Sequence, residues 1–218
     1  MKTIRELFLE SNPIEGNQMR MFCDMDGVLV NWSKGAAQRI SSDKEIMSRL
    51  DKIKFKVDWD NFSGYDVEEG LAKYNMEVRG MNAKKAKRTA KGRFWKPFQG
   101  DSDWWANLEW MPDGKKLWGY LLSLKETGKI NELNILTSPA SDPACPVGKN
   151  QWLERHGLAS QVDNIYIDTN KSQYATGPDD VLIDDTLKKI KGWRDAGGTG
   201  VLHKATVSTL NDLKELGL

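Results

Sequence analysis

Five short apolar runs constrain this chain more than anything else in it: Met19–Asp24, Leu133–Thr137, Asn164–Asp168, Val181–Asp184 and, more weakly, Gly200–His203. Runs of this length read as buried strands. Segments of helical period are interspersed with them at Gly114–Lys125, Val147–His156, Thr186–Asp195 and Thr206–Leu216. Strand and helix alternating at this spacing predict an α/β fold: a doubly wound, five-stranded parallel sheet of Rossmann-like type with helices on both faces.

One interval breaks the alternation. From Trp32 to Asp103 the chain runs about 70 residues, far longer than a βα connection requires. It holds helix-like segments at Lys34–Leu50 and Val67–Asn75 and no strand pattern of its own, so 33–103 reads as a helical cap inserted after the first strand. The α/β core then comprises 20–32 and 104–218, and 218 residues suffice for both parts. Residues 2–10 read as a short amphipathic helix with Thr3 at its N-cap. Asn12-Pro13 and Gly16-Asn17 make the remainder of 1–19 a linker.

Bulk composition excludes more than it assigns. Lys+Arg is 32 and Asp+Glu 31, so net charge carries no sign of a nucleic-acid or membrane partner, and any such signal has to be local. No apolar run approaches the ~20 residues of a membrane span. The opening MKTIRELFLE lacks a signal peptide's apolar stretch. Two cysteines, Cys23 and Cys145, are too few for a disulfide framework and lack metal-ligand spacing. A cytoplasmic, thiol-reduced protein is the expectation.

In open α/β sheets ligands bind beyond the carboxyl ends of the strands, so the residues that close each run matter most. The first closes on Asp24-Met25-Asp26-Gly27, the second on Thr137-Ser138, the third on Asp168 with Lys171 soon after, and the fourth on Asp184-Asp185. Residues two apart at a strand end point the same way, so Asp24 and Asp26 can face one substrate while Gly27 permits a tight turn. Neighbouring carboxylates repel, and one tends to keep its proton unless a cation intervenes. That suits one as nucleophile and the other as general acid. Asp184 and Asp185 add hard oxygen ligands for Mg²⁺. Thr137 and Ser138 can hydrogen-bond phosphate oxygens, and Lys171 can neutralise charge on a transferred phosphoryl group. Each piece alone has a bland alternative, since an Asp-Asp pair before a helix often only caps it. Their joint placement at successive strand ends is what points to chemistry.

At DMDGVLV, residues 24–30, the chain resembles the haloacid dehalogenase superfamily, whose first motif is DxDG[TV]. Thr137, Lys171 and the Asp184-Asp185 pair match its later motifs in order. A narrower resemblance, to the 5′(3′)-deoxyribonucleotidases, rests on DMDGVLVNW (24–32), WWANLEWMPDGKKLW (104–118), ILTSP (135–139), CPVGKNQWLERHG (145–157) and VLIDDT (181–186). The resemblance covers about half of the chain. It implies a phosphomonoesterase acting on deoxyribonucleoside monophosphates. Asp24 would form an aspartyl-phosphate, and Asp26 would protonate the leaving oxygen and then activate water. Thr137, Ser138 and Lys171 would hold the phosphate. Mg²⁺ would sit on Asp24, the Asp26 carbonyl, Asp184 and Asp185, with Asp185 the closer ligand of the pair. The insertion does not match that family closely, so mechanism carries over better than specificity. A catalytically silent protein of the same fold is disfavoured, because both first-motif aspartates, the lysine and the acidic pair are all present.

The nine tryptophans need places. Trp32 aligns with an aromatic that lines the nucleobase pocket in the resembled family, and Phe94, Trp95, Trp104 and Trp105 are further candidates for substrate contact; the alternative for each is core packing. Trp118, Trp152 and Trp193 fall within helix patterns and read as packing residues. Lys149 reads as a solvent-facing helix lysine, and His156 and His203 lie near no motif. Residues 83–96 carry seven Lys/Arg and no acid. That run is a solvated helix face, a phosphate-attracting cap rim or a nucleic-acid track. The last reading sustains a second function, a phosphatase for 3′-phosphorylated nucleic-acid ends, behind the favoured small-molecule nucleotide substrate; another small phosphometabolite is the further alternative.

Overall fold

The computed structural model describes residues 19–218; the amphipathic helix expected at 2–10, and all of the linker but Met19, lie outside the described residues. Five strands form one parallel sheet: β1 (Arg20–Cys23), β2 (Glu132–Thr137), β3 (Asn164–Ile167), β4 (Asp180–Asp184) and β5 (Thr199–Leu202), in the spatial order β3-β2-β1-β4-β5. The doubly wound α/β architecture expected from the apolar runs is the one observed. The helices are α1 (Trp32–Ser41), α2 (Lys44–Lys52), α3 (Gly64–Glu77), α4 (Ala83–Trp95), α5 (Ser102–Ala106), α6 (Gly114–Glu126), α7 (Ala144–Arg155), α8 (Leu187–Asp195) and α9 (Thr206–Glu215).

The chain leaves central β1, builds outward through β2 and β3, then returns to the other side of β1 for β4 and β5. The order therefore reverses between β1 and β4. That is where an open α/β sheet offers a crevice to a ligand.

Contacts divide the chain into two compact units. The sheet unit takes residues up to Val28, 113–138 and 160–218; the helical unit takes 29–112 and 139–159. In the sheet unit Phe22, Leu136, Leu182, Ile190 and Trp193 form a buried cluster, with the Trp193 ring edge-on to Phe22 at 5.1 Å. The Trp193 indole N–H donates to the Asp180 carbonyl at 2.9 Å, so this large side chain is buried without an orphaned polar atom. Arg20 grips the Asp180 carboxylate with Nε at 2.7 Å and Nη2 at 2.8 Å, tying the first residues of β1 and β4 together. Burial works against the charge on Asp180, but Arg20 and Thr176 outweigh it and hold the carboxyl below its ordinary range.

The helical unit packs Ile40, Ile46, Leu50, Val67, Leu71, Ala90, Phe94 and Phe98 into one core. The helix-like pattern over Lys34–Leu50 is two helices rather than one. Asp43 accepts a hydrogen bond from the Ile46 amide at 2.9 Å and so starts α2, which ends the first helix before it. Asp43 also pairs with Arg93 of α4. The α3–α4 hairpin is close-packed, because Gly64 lies against Phe94 and small Ala86 and Ala90 face inward. Helix α7 belongs to this unit, whereas the sequence boundaries assign 104–218 entirely to the core. At Gly148 a Cβ would stand 2.3 Å from the Trp105 Cβ and 2.4 Å from the Ser102 carbonyl, so only glycine lets α7 approach α5 this closely. Trp152 donates to the Leu108 carbonyl at 2.8 Å across the same contact. Trp118, Trp152 and Trp193 are all buried, as expected. Lys149 is a correction: it is 2% exposed, not solvent-facing, because it lies on the side of α7 that also buries Cys145, Gly148 and Trp152.

Candidate active site

Of the residues predicted from strand ends, Asp24, Asp184, Asp185 and Lys171 converge within the sheet unit. Asp24 follows β1 directly; its amide donates to the Ile183 carbonyl at 2.9 Å and its carboxylate accepts from the Met25 amide at 2.8 Å. Asp184 is the last residue of β4, fully buried, and accepts from the Thr186 amide at 2.7 Å. Lys171, 2% exposed, opens a short 3₁₀ turn (Lys171–Tyr174) and bridges the two carboxylates, with Nζ 2.9 Å from Asp24 and 2.6 Å from Asp184. One carboxylate oxygen each from Asp24, Asp184 and Asp185 lie within 4.8 Å of one another.

These charges do not cancel. Burial disfavours the Lys171 cation, but Asp24 and Asp184 more than compensate and raise its pKa, so it stays protonated. Asp184 is pushed up by burial and by Asp24. Asp185 rises to about 6, through partial burial and through repulsion from Asp24, Asp184 and Asp26. Three carboxylates share one lysine, and Asp185, whose side chain reaches solvent, carries the excess. A divalent cation with hard oxygen preferences fits this donor set.

Gly27 makes the arrangement sterically feasible. Its φ is +74°, and a Cβ there would stand 2.2 Å from Asp185 Oδ2. The glycine thus both turns the chain after Asp26 and leaves room for the acidic pair.

The other strand-end residues serve the loops. Thr137 closes β2, is fully buried, and its carbonyl accepts from the Asp168 amide at 2.8 Å. The Ser138 hydroxyl donates to the Asp168 carbonyl at 3.3 Å. Asp168 in turn accepts from the Asn170 amide at 2.8 Å and from Gln173 at 2.6 Å, shaping the turn that presents Lys171. Sequence reasoning missed Lys189 of α8, whose ammonium donates to the Thr169 carbonyl at 2.5 Å and braces the same turn. The only available signal was its place in the first turn of the helix after the acidic pair. His203 is nearer to a motif than its sequence position implies, since its amide donates to the Asp184 carbonyl. Its ring pairs with Thr209 at 2.8 Å, and burial lowers its pKa.

The aromatic candidates belong to the helical unit. Phe94 is 1% exposed and packed edge-on against Trp95, so it is a core residue with no ring face open to a substrate. Trp32 and Trp95 are half-buried, with ring centroids 6.0 Å apart. Trp95 also lines a cavity of about 190 Å³ with Phe98, Gln99, Trp105 and residues 140–143. The buried Trp105 indole nitrogen on that wall has no hydrogen-bond partner.

No protein-family model matches the sequence, and neither does any curated protein. Solved structures do match. A haloacid dehalogenase-like family hydrolase from Streptococcus pneumoniae superposes with a TM-score of 0.55 at 14% identity, covering 92% of this chain and 98% of the other. A HAD-superfamily hydrolase of subfamily IA from Geobacter sulfurreducens gives 0.52 at 15% identity over 88% and 89% of the two chains. A HAD-hydrolase from Bacillus subtilis, bound to magnesium, gives 0.53 at 13% identity over 91% and 98%. The fold is that of the haloacid dehalogenase-superfamily hydrolases. At these identities the likeness is one of fold, and the carboxylate–lysine cluster has to carry the chemistry. No helix among the described residues is long and apolar enough to cross a membrane.

Proposed function

We propose that the protein is a Mg²⁺-dependent phosphomonoesterase that converts deoxyribonucleoside monophosphates to deoxynucleoside and phosphate, as its resemblance to the 5′(3′)-deoxyribonucleotidases implies. The observation that carries this reading is the Lys171 bridge between Asp24 and Asp184 beside Asp185, at the point where the strand order reverses. Three carboxylates and one lysine would repel an anionic substrate if left alone. With a divalent cation the same groups become a receptor for a phosphoryl group.

Asp24 attacks phosphorus, and the bond to the leaving nucleoside oxygen breaks as Asp26 gives that oxygen a proton. Asp26 then takes a proton from water, which attacks the aspartyl-phosphate, releases phosphate and frees Asp24. Lys171 neutralises charge on the phosphoryl oxygens, and Thr137 and Ser138 provide hydrogen bonds to them. Mg²⁺ would be held by Asp24, the Asp26 carbonyl and the acidic pair, and would supply further charge neutralisation. Asp184 already accepts from Lys171 and the Thr186 amide, which leaves Asp185 as the more available ligand.

A phosphate-release screen tests the reading. Nucleotides, sugar phosphates, 3′-phosphorylated oligonucleotides and 2-haloacids, the last read by halide release, would be compared with Mg²⁺ and with EDTA. Deoxynucleoside monophosphates should head the ranking in Mg²⁺ and be inert in EDTA. A sugar phosphate or an oligonucleotide at the head would overturn the substrate class. Halide release with no phosphatase activity would overturn the reaction.

A further inference from the structure

The run of basic residues at 83–96 finds a definite geometry in the structure. Within α4, Ala86, Ala90 and Phe94 are buried, while Lys84, Lys85, Lys87, Arg88 and Lys91 are all exposed. At the helical repeat the five cations share roughly 160° of the helix surface. None of them forms an ion pair among the described residues, in contrast to Arg93, which is engaged by Asp43 and Glu45. The helix itself carries no acid that could pair with them.

A second feature lies on α3, the helix packed against α4. Tyr65, in the first turn of α3, is 84% exposed, the largest exposure among the exposed large hydrophobic residues. Its neighbour Gly64 lies against the Phe94 ring, which sets Tyr65 beside the last turn of α4. Glu68, one turn further along α3, is half-buried; burial raises its pKa and the Lys91 charge offsets part of that rise.

We propose that the outer face of α4, together with Tyr65, is a sequence-independent binding surface for single-stranded nucleic acid. Unpaired cations along a rigid face match a phosphate backbone, and an open aromatic ring on the neighbouring helix matches an unstacked base. A duplex keeps its base faces inside the stack, so Tyr65 would gain nothing from it. An anionic membrane fits less well, because the apolar side of α4 is already consumed by the hairpin core and leaves nothing to insert. The candidates Phe94 and Trp95, interleaved with the run in sequence, do not supply the stacking; one is core and the other turns into the aromatic cluster. All these residues belong to the helical unit, so binding here does not depend on the phosphatase reading.

Fluorescence anisotropy of the full chain with a labelled oligodeoxynucleotide lacking terminal phosphates, in EDTA, separates binding from hydrolysis. Single-strand affinity should fall with salt at a log–log slope of up to about −3.5 for five phosphate contacts. Replacing Lys84, Lys85, Lys87 and Arg88 together by Gln should weaken binding by more than tenfold and flatten the slope by up to about 2.8. Tyr65→Ala should weaken binding about tenfold and leave the slope unchanged. All five sites are exposed, so the variants should retain the parent circular dichroism and melting curve. Several results would overturn the proposal: no salt-dependent single-strand binding, equal affinity for a matched duplex, or indifference to either variant. Tighter binding to phosphatidylserine vesicles than to the oligonucleotide would assign the face to a membrane instead.

Discussion

Replacing Gly27 by alanine tests how the turn after Asp26 is tied to the chemistry. Two effects follow from one methyl group. The backbone sits at φ +74°, where a non-glycine residue costs about 1–2 kcal/mol. For a chain of this size that corresponds to a melting temperature lower by roughly 2–8 °C. The new Cβ would also stand 2.2 Å from Asp185 Oδ2, against 3.4 Å for ordinary contact, so the carboxylate must retreat by about 1.2 Å. Asp185 reaches solvent and can swing away, which makes the steric cost small, and leaving Asp24 and Asp184 relieves some repulsion. The stability loss measured in EDTA should therefore lie toward the lower end of the range. The cation has no such tolerance, since Mg²⁺ demands ligand oxygens at about 2.1 Å in near-octahedral geometry. Half-saturation by Mg²⁺ in a phosphate-release assay should rise by about 10–100-fold, the scale on which supporting groups act at metal sites. An alanine variant that melts lower but titrates with Mg²⁺ like the parent would refute the placement of Asp185 in the cation site.

Further outcomes follow from the same geometry. Asp24→Asn keeps size but loses the attacking charge, so turnover of any phosphomonoester should fall to near background while circular dichroism shows the fold retained. Chelation should abolish activity and Mg²⁺ should restore it, whereas Ca²⁺, with its looser and higher coordination, should inhibit; full activity in EDTA would remove the roles of Asp184 and Asp185. In EDTA at pH 7.5, Asp185→Asn should melt higher than the parent, because it removes a carboxylate held among like charges, and the same variant should lose activity. Arg20→Met should destabilise the fold at neutral pH. Asp180 has its folded pKa lowered, so the stability from this pair is present above the unfolded value of about 3.9 and is lost as pH falls through the folded one. The deficit of the variant should accordingly shrink in urea titrations as the pH drops toward 3; a deficit independent of pH would mean that packing, not the ion pair, sets the loss.

The sheet was legible because its strands are nearly featureless. Val181–Ile183 is apolar at consecutive positions, buried in the structure and closed by Asp184, so period and length coincide, whereas the run at β3 is only partly buried because it forms an edge of the sheet. The helical unit was harder to read for a related reason. Over Lys34–Leu50 the apolar period continues through the break, and only the capping geometry of Asp43 reveals that two helices meet there. The membership of α7 was not legible at all. It rests on Gly148 passing a tryptophan and a backbone carbonyl at close range, and a glycine in a helix pattern does not announce what it approaches.

The site divides along the same line. Asp24, Asp184 and Asp185 could be found because parallel strands bring their carboxyl ends to one edge, so a list of strand ends is already a list of neighbours. Lys171 could be named because it follows the third strand end closely, but not placed, since its position depends on a turn built by Asp168, Asn170 and Gln173 rather than on a strand. Lys189 depends on that turn one step further, through the Thr169 carbonyl, and periodicity carries no trace of it. Sequence patterns therefore reach as far as regular structure delivers a side chain, and stop where a loop does. By that reasoning Lys189 is a positioning residue: with Lys189→Met the Lys171 turn loses its brace while every carboxylate keeps its place. The variant should lower kcat more than it raises half-saturation by Mg²⁺, and Lys189→Arg should recover most of the loss.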